Sequence, residues 1–518
     1  MGADRQKICE MREKGCDMAH NSAEVIIFAL QIRIIRCKNF WKMANLKSLV
    51  KDTAIYGLSS IVGRFLNYLL VPLYTAKISA ASGGYGVVTN MYAYTAIFLV
   101  LLTFGMETTL FRLANKESEK PDTVFSTAML VVGALTVVFL AIIFGFIGEI
   151  SQLIGYADRP EFVLMMATVV ALDALQAIPF SFLRFKNRAI RFASLKLLFI
   201  VLNIGINVLY FIVLGKTDVF YVFSINLVCT SFITLFFIPD LLRIRWAFDA
   251  RLLRQMLKYS WPILVLGIAG ILNQTADKII YPYVRSGLQG EVELGIYGAC
   301  VKIAMVMAMI TQAFRYAYEP FVFGKAKDSD SRETYAKAMK YFIIFTLLAF
   351  LVVVGWLDVL KYIIGHDYWE GLRVVPIVMA AEILMGVYFN LSFWYKLIDR
   401  TVWGLWFSLA GCAVLIAVNI IFIPKYGYMA CAWGGVAGYG TATLLSYFVG
   451  QRKFPISYPL RSIAAYVLIA ALFTAVMMLM PKSWPAWLRL SVNTALILLF
   501  VAHIIWHDLP LKSLRRKD

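Results

Sequence analysis

The sequence predicts an all-α polytopic membrane protein with about fourteen transmembrane helices. Three observations predict it. Apolar residues make up 61% of the 518, where soluble domains average roughly 45–50%. They fall into successive runs of about twenty residues, the length that crosses a 30 Å hydrocarbon layer at 1.5 Å rise per residue. Lysine and arginine concentrate in every second connection between those runs.

In chain order the first six spans are 54–75, 87–111, 124–148, 162–183, 195–214 and 219–242. A second six follow at 259–284, 296–323, 341–360, 374–397, 402–423 and 428–449, with two more at 463–480 and 488–506. Residues 1–42 are polar and mixed, and their one apolar run, 25–30, is too short to span. Met43-Ala-Asn-Leu-Lys47 reads as a natural start ahead of the first span, so residues 1–45 are expected to be a disordered cytoplasmic extension.

The charges set the orientation. One set of connections carries Arg112, Lys116 and Lys120, then Arg184, Lys186, Arg188 and Arg191, then Arg243, Arg245, Arg251, Arg254 and Lys258. The same side continues through 325–340, 396–400 and 452–461 to the basic tail at 512–517. The opposite side holds only nine such residues, among them Lys77, Arg159, Lys216 and Arg285. This bias places both termini in the cytoplasm. It also explains the net charge of +19 as topology, so a nucleic-acid partner is not expected. Seven scattered cysteines without a Cys-x-x-Cys pair and four histidines point to neither a disulfide framework nor a metal centre. His503 and His507, four apart on the last span, read as interfacial polar residues.

The two sets of six carry traces of duplication. Tyr85-Gly86, Glu107 and Phe111 are repeated 212 residues later as Tyr297-Gly298, Glu319 and Phe323. Pairing Pro72 with Pro282 sets Asn67 against Asp277. An even number of spans per copy makes the copies parallel. The expected organisation is a first six-helix bundle at 46–242, a basic linker at 243–258, a second bundle at 259–450, and two accessory helices with a basic tail at 451–518. The bundles are expected to face each other across a central cavity.

Ionisable groups inside spans are costly and mark pathways or sites. The acids are Glu107, Asp173, Asp277, Glu319 and Glu382; the bases are Arg64, Lys196, Lys278, Lys302 and Arg315. Ser60, Arg64 and Asn67 share a helical face, as do Asn273 and Asp277, and Gln312, Arg315 and Glu319. Arg315 and Glu319, one turn apart, can neutralise each other, and Lys196, Lys278 and Lys302 can snorkel toward an interface. Arg64 is too deep to do so, and its permanent charge suits a phosphate or pyrophosphate ligand. No P-loop is present, since Gly215-Lys216-Thr217 has Tyr210 where the upstream glycine is required. The non-cytoplasmic connections are short, which argues against a membrane glycan polymerase or ligase, and no selectivity-filter motif occurs.

The stretch Leu46-Lys47-Ser48-Leu49 with Ala54-Ile55-Tyr56-Gly57-Leu58-Ser59-Ser60-Ile61-Val62-Gly63-Arg64 resembles the opening of bacterial oligosaccharide flippases. These form the polysaccharide-transport branch of the multidrug/oligosaccharidyl-lipid/polysaccharide exporter superfamily. Tyr85-Gly86, Gly105-Met106-Glu107 through Phe111-Arg112, Gln312-Ala313-Phe314-Arg315 and Glu319-Pro320-Phe321 extend the resemblance. It implies a V-shaped pair of bundles in the bacterial cytoplasmic (inner) membrane. It further implies movement of an undecaprenyl-diphosphate-linked oligosaccharide to the outer leaflet for surface polysaccharide such as lipopolysaccharide, without enzymatic activity or cofactor. Related lipid II flippases carry a first-helix arginine in the cavity, matched here by Arg64. Arg64 and Arg315 would hold the pyrophosphate, and Asn67, Asn273, Gln312 and Asn390 would bond sugar hydroxyls, beside Asp277. Glu107, Asp173, Glu319 and Glu382 are candidates for proton or sodium coupling or for ion pairs. Expected partners are the lipid-linked oligosaccharide, membrane lipids, and a polysaccharide polymerase with other biosynthesis proteins. A cation-coupled multidrug antiporter is the alternative within the superfamily. Arg64 and Asn67 stand where that branch commonly has an acid.

Overall fold

The computed structural model describes residues 68–508, apart from 117–118, 245, 325–330, 399 and 482; the side chains of 316–317, 319–321 and 323–324 are also outside the description. Arg64, Asn67, the expected 1–45 extension, most of the first expected span and the Glu319 side chain therefore lie outside the described residues.

The described chain opens with α1 (Leu70–Lys77), α2 (Gly84–Thr103), α3 (Met106–Ala114), α4 (Pro121–Gly145), α5 (Pro160–Phe185), α6 (Ala189–Val208) and α7 (Phe220–Leu235). After a basic stretch follow α8 (Ala250–Val284), α9 (Leu288–Gly324), α10 (Ser331–Gly355), α11 (Val375–Leu391), α12 (Val402–Tyr426) and α13 (Tyr428–Lys453). The chain ends in α14 (Leu460–Leu479) and α15 (Ala486–Asp508). Local sequence explains several boundaries. Proline at the first helical position opens α4 and α5, where its missing N–H costs no helical bond. The Asp249 carboxylate caps α8 by accepting from the amides of Arg251 at 2.8 Å and Leu252 at 3.2 Å.

Among the described residues twelve helices are long and apolar enough to cross a membrane, against the fourteen expected. The first expected span lies mostly outside the described residues. The expected span at 428–449 is present as the 26-residue helix α13, yet it is not among the twelve. Gly434, Gly435, Gly438, Gly440 and Gly450 dilute its apolar content. Those glycines serve packing: a Cβ on Gly438 would lie 2.9 Å from the Gly411 carbonyl oxygen of α12. Small residues that let backbones touch are how helices associate where no hydrophobic force acts between them.

α2 packs against two helices from beyond residue 250, α8 and α9. It runs antiparallel to α8: Asn90 donates to the Lys278 carbonyl at 2.8 Å, a Cβ on Gly267 would meet Val100 at 3.0 Å, and one on Gly105 would meet Ile263 at 3.0 Å. Against α9 it runs parallel, with Gly86 on Gly295 and Thr89 on Gly298. The two Tyr-Gly motifs thus sit on helices that touch. α2 ends at two consecutive left-handed residues, Phe104 (φ 49°) and Gly105 (φ 67°), before the chain resumes as α3. α14 and α15 pack on α10, fastened by Lys340 and Tyr466 to Asp508 at one end and by Arg489 to Asp358 at 3.1 Å at the other.

The α2–α9 contact leaves no room for a side chain at Gly86, where a Cβ would fall 1.9 Å from the Glu291 carbonyl oxygen, while Gly270 has open space. Gly86→Ala should lower the thermal unfolding temperature in detergent, by overpacking worth about 1–3 kcal/mol. Gly270→Ala should leave it unchanged or slightly raised.

Candidate functional site

In the second half the charged groups gather around Asp277 and Lys278 on α8. The Lys278 ammonium lies 3.0 Å from the Asp277 carboxylate and also donates to the Gln274 carbonyl at 2.8 Å. The Tyr297 hydroxyl, from α9, donates to Asp277 at 2.7 Å. Glu382 on α11 lies in the electrostatic reach of Lys278, and its Oε2 is buried with no hydrogen-bond partner. Tyr439 on α13 faces Asp277 and Glu382. The Asp277–Lys278 pair is largely shielded, its side chains 8% and 17% exposed. An ion pair of this kind holds only where hydrogen bonds complete both partners, which Tyr297 and the Gln274 carbonyl supply.

The other candidates of this half are placed as follows. Asn273, a turn before Asp277, spends its amide on the Ala269 carbonyl at 2.8 Å and the Ser408 carbonyl at 3.0 Å, bracing α8 against α12. Arg315 of α9 lies over the Phe389 ring at 4.8 Å, beside Asn390. The Asn390 amide donates to Gly386 at 3.0 Å, and its Oδ1 is buried without a partner. Gln312 is half-buried on α9. Glu382 and Asn390 stand eight residues apart on α11, about 12 Å along its axis.

The first half has its own charged array. Glu107 on α3 accepts from the Ser181 hydroxyl at 3.2 Å and lies 3.5 Å from Arg184 of α5. Gly105, Glu107, Thr108, Phe111 and Arg184 line a cleft of about 340 Å³. Asp173 on α5 faces Lys196 of α6, which also feels Glu107 and Arg184. Lys196 sits 4.0 Å over the Phe180 ring. Lys278, for which the sequence also allows snorkelling, pairs with Asp277.

The seam between the halves closes at the sparsely charged end. The loop Gly365–Tyr368 from the second half docks on the end of α1: the Gly365 amide donates to Thr75 at 3.0 Å, the Tyr368 hydroxyl to the Ile78 carbonyl at 2.8 Å, and Ser79 to Asp367 at 3.1 Å. Tyr368 is fully buried and stacks edge-on with Tyr85 at 5.8 Å. Sequence reasoning missed this latch, since no pattern along the chain pairs residues 290 apart. At the basic end Arg112 covers the Tyr259 ring at 4.2 Å, and Arg251 reaches Glu119 at 3.4 Å.

The arrangement defines a class: a polytopic helical membrane protein whose two halves meet along one seam, with charged arrays on both sides. Within that class the chain belongs to the polysaccharide biosynthesis protein family, whose family model matches residues 82–372, more than half of its length. Its fold is similar to that of the lipid II flippase MurJ in an inward closed conformation. That likeness has a TM-score of 0.69 at 15% identity and covers 87% of this chain and 98% of the other. It is also similar to an inward-facing multidrug resistance MATE family transporter of the MOP superfamily (TM-score 0.60, 14% identity, 75% of this chain and 93% of the other). An outward-facing member of the same family gives 0.52 at 16% identity, over 77% and 95%. No curated protein sequence matches the chain.

The Asp277–Lys278 pair can be tested directly. Lys278→Met leaves Asp277 buried without its counter-charge and should destabilise the protein by about 3–5 kcal/mol. The double variant Asp277→Asn with Lys278→Met should recover much of that loss in a thermal-unfolding cycle.

Proposed function

We propose that this chain carries an undecaprenyl-diphosphate-linked oligosaccharide from the cytoplasmic to the outer leaflet of a bacterial cytoplasmic membrane, by alternating access of its two halves. The observation that carries the reading is the family match to polysaccharide biosynthesis proteins in a chain whose described residues hold twelve helices long and apolar enough to cross a membrane. With so little mass between its spans, it offers movement through the membrane rather than glycan chemistry beside it.

The physical task is set by the head group. A diphosphate and a row of sugar hydroxyls cannot enter hydrocarbon without losing water, at a cost of several kcal/mol for each unpaired polar group. A polar passage between the halves replaces that water, while the prenyl chain stays in lipid. Arg64 and Arg315 hold the diphosphate in this reading. Gln312 and the free oxygen of Asn390 meet sugar hydroxyls, whereas Asn273 is occupied in bracing. Glu382, with a buried oxygen to satisfy, is the acid best placed to take part in coupling. The basic end faces the cytoplasm, and the Gly365–Tyr368 latch closes the opposite end until the substrate is loaded.

Two outcomes test this. Arg64→Ala should abolish surface display of the glycan while the protein still reaches the membrane; undiminished display would remove Arg64 from the mechanism. Ser79→Cys with Asp367→Cys should form a disulfide across the latch under mild oxidation and stop transport, with reductant restoring it. Transport through the cross-linked protein would contradict alternating access.

A further inference from the structure

Two connections at the basic end of the first half are built into one plate. Arg191, in the first turn of α6, donates to the Asp240 carboxylate at 2.8 Å and to the Phe236 carbonyl at 3.1 Å. These bonds tie the α5–α6 connection to the short helix Ile238–Arg243 that follows α7. Beneath them Phe180 of α5 packs edge-on against Phe192 of α6 at 5.4 Å and against Phe237 at 4.8 Å, in a buried cluster of their own. Trp246 is fixed to the same short helix, its indole N–H donating to the Leu241 carbonyl at 3.1 Å.

What this plate presents is a mixture of charge and apolar surface. Ile190 is 77% exposed and Leu242 79%, and Trp246 and Phe248 are exposed as well. Arg188 and Arg243 are exposed next to them in the chain, and among the described residues their side chains have no ion pair and no hydrogen bond. A topological excess of basic residues accounts for arginines at this end. It does not call for four large apolar side chains among them. In water that apolar area is unfavourable. At a membrane surface it enters the boundary between headgroups and acyl chains, while arginines stay level with the headgroups. Trp246 suits that boundary because its one donor is already spent on Leu241. The sign of the charge selects the occupant. Residues 1–67 and 509–518 carry an excess of lysine and arginine, so neither end of the chain complements the plate. A second copy seated on it by two-fold symmetry would bring arginine against arginine. A negatively charged lipid surface complements both the charges and the apolar side chains.

We propose that this plate is a docking surface for anionic phospholipid of the cytoplasmic leaflet. Arg188 and Arg243 meet the negative headgroups, and Ile190, Leu242, Trp246 and Phe248 seat among the upper acyl carbons. The Arg191–Asp240 pair and the aromatic cluster beneath hold the two connections in register, so that charge and apolar surface are offered together. None of the groups assigned to the passage takes part, and the inference stands whether or not the transport reading does.

The test titrates the full chain in detergent with phosphatidylglycerol or phosphatidylcholine of the same acyl chains, and reads bound lipid by native mass spectrometry. Wild type should prefer phosphatidylglycerol. Arg188→Gln with Arg243→Gln should weaken its binding by about 25-fold, at about fivefold for each basic group at an anionic surface. Phosphatidylcholine binding should be unchanged, which also shows the variant folded, and lysine at both positions should retain the preference. Lys216→Gln, which removes an exposed charge from the opposite side, should leave it intact. Equal binding of the two lipids by wild type, or an equal loss in Lys216→Gln, would overturn the docking surface. A nitroxide on Leu242→Cys in vesicles containing phosphatidylglycerol gives a second reading, after subtraction of the signal from the labelled unsubstituted chain. It should collide with oxygen and be shielded from a water-soluble nickel chelate. Free access of the chelate would place the plate in water. Shielding from both reagents would place protein over it, a terminus of this chain or another molecule. Either result would contradict the proposal.

Discussion

A charge placed in the middle of a bilayer has to be met by an opposite charge, a ring, or water, and this molecule is organised around that demand. Asp277 and Lys278 meet each other, completed by Tyr297 and the Gln274 carbonyl. Arg315 lies over Phe389 and Lys196 over Phe180. Tyr297 on Asp277, Phe389 under Arg315 and Phe180 under Lys196 come from different helices than the groups they meet, so these contacts also fix which helices lie together. Asn90, on α2, bonds to the carbonyl of Lys278, so the second half's charge cluster is tied into the contact with the first.

The seam follows from the same economy. Helices in lipid gain nothing from hiding apolar surface against one another, so they associate through close backbone approach and polar contacts. Gly86, Gly295 and Gly298 give that approach between α2 and α9, and Gly411 with Gly438 between α12 and α13. The latch adds hydrogen bonds across the seam at its sparsely charged end.

Much of this was legible in the sequence, and the reasons divide cleanly. Runs of twenty apolar residues gave twelve of the fourteen expected spans because length and hydropathy are properties of single helices. α13 shows the limit: its glycines weaken the apolar signal because they are there to pack. Grouping Asn273 with Asp277 on one face was correct geometry, but periodicity along one helix cannot reveal that the Ser408 carbonyl of α12 claims Asn273. Nor could it place Asp173 of α5 opposite Lys196 of α6, or bring residues 365–368 onto the end of α1. Arg64 and Asn67, the residues singled out first from the sequence, lie outside the described residues, and their part in the passage stays a proposal.

The most direct test of that proposal is translocation itself. The purified protein would be reconstituted into liposomes with a prenyl-diphosphate oligosaccharide confined to the inner leaflet, and its glycan followed by capture with an external lectin. Capture should rise with time only in vesicles containing the protein. Equal capture from protein-free vesicles, or none from either, would contradict transport by this chain.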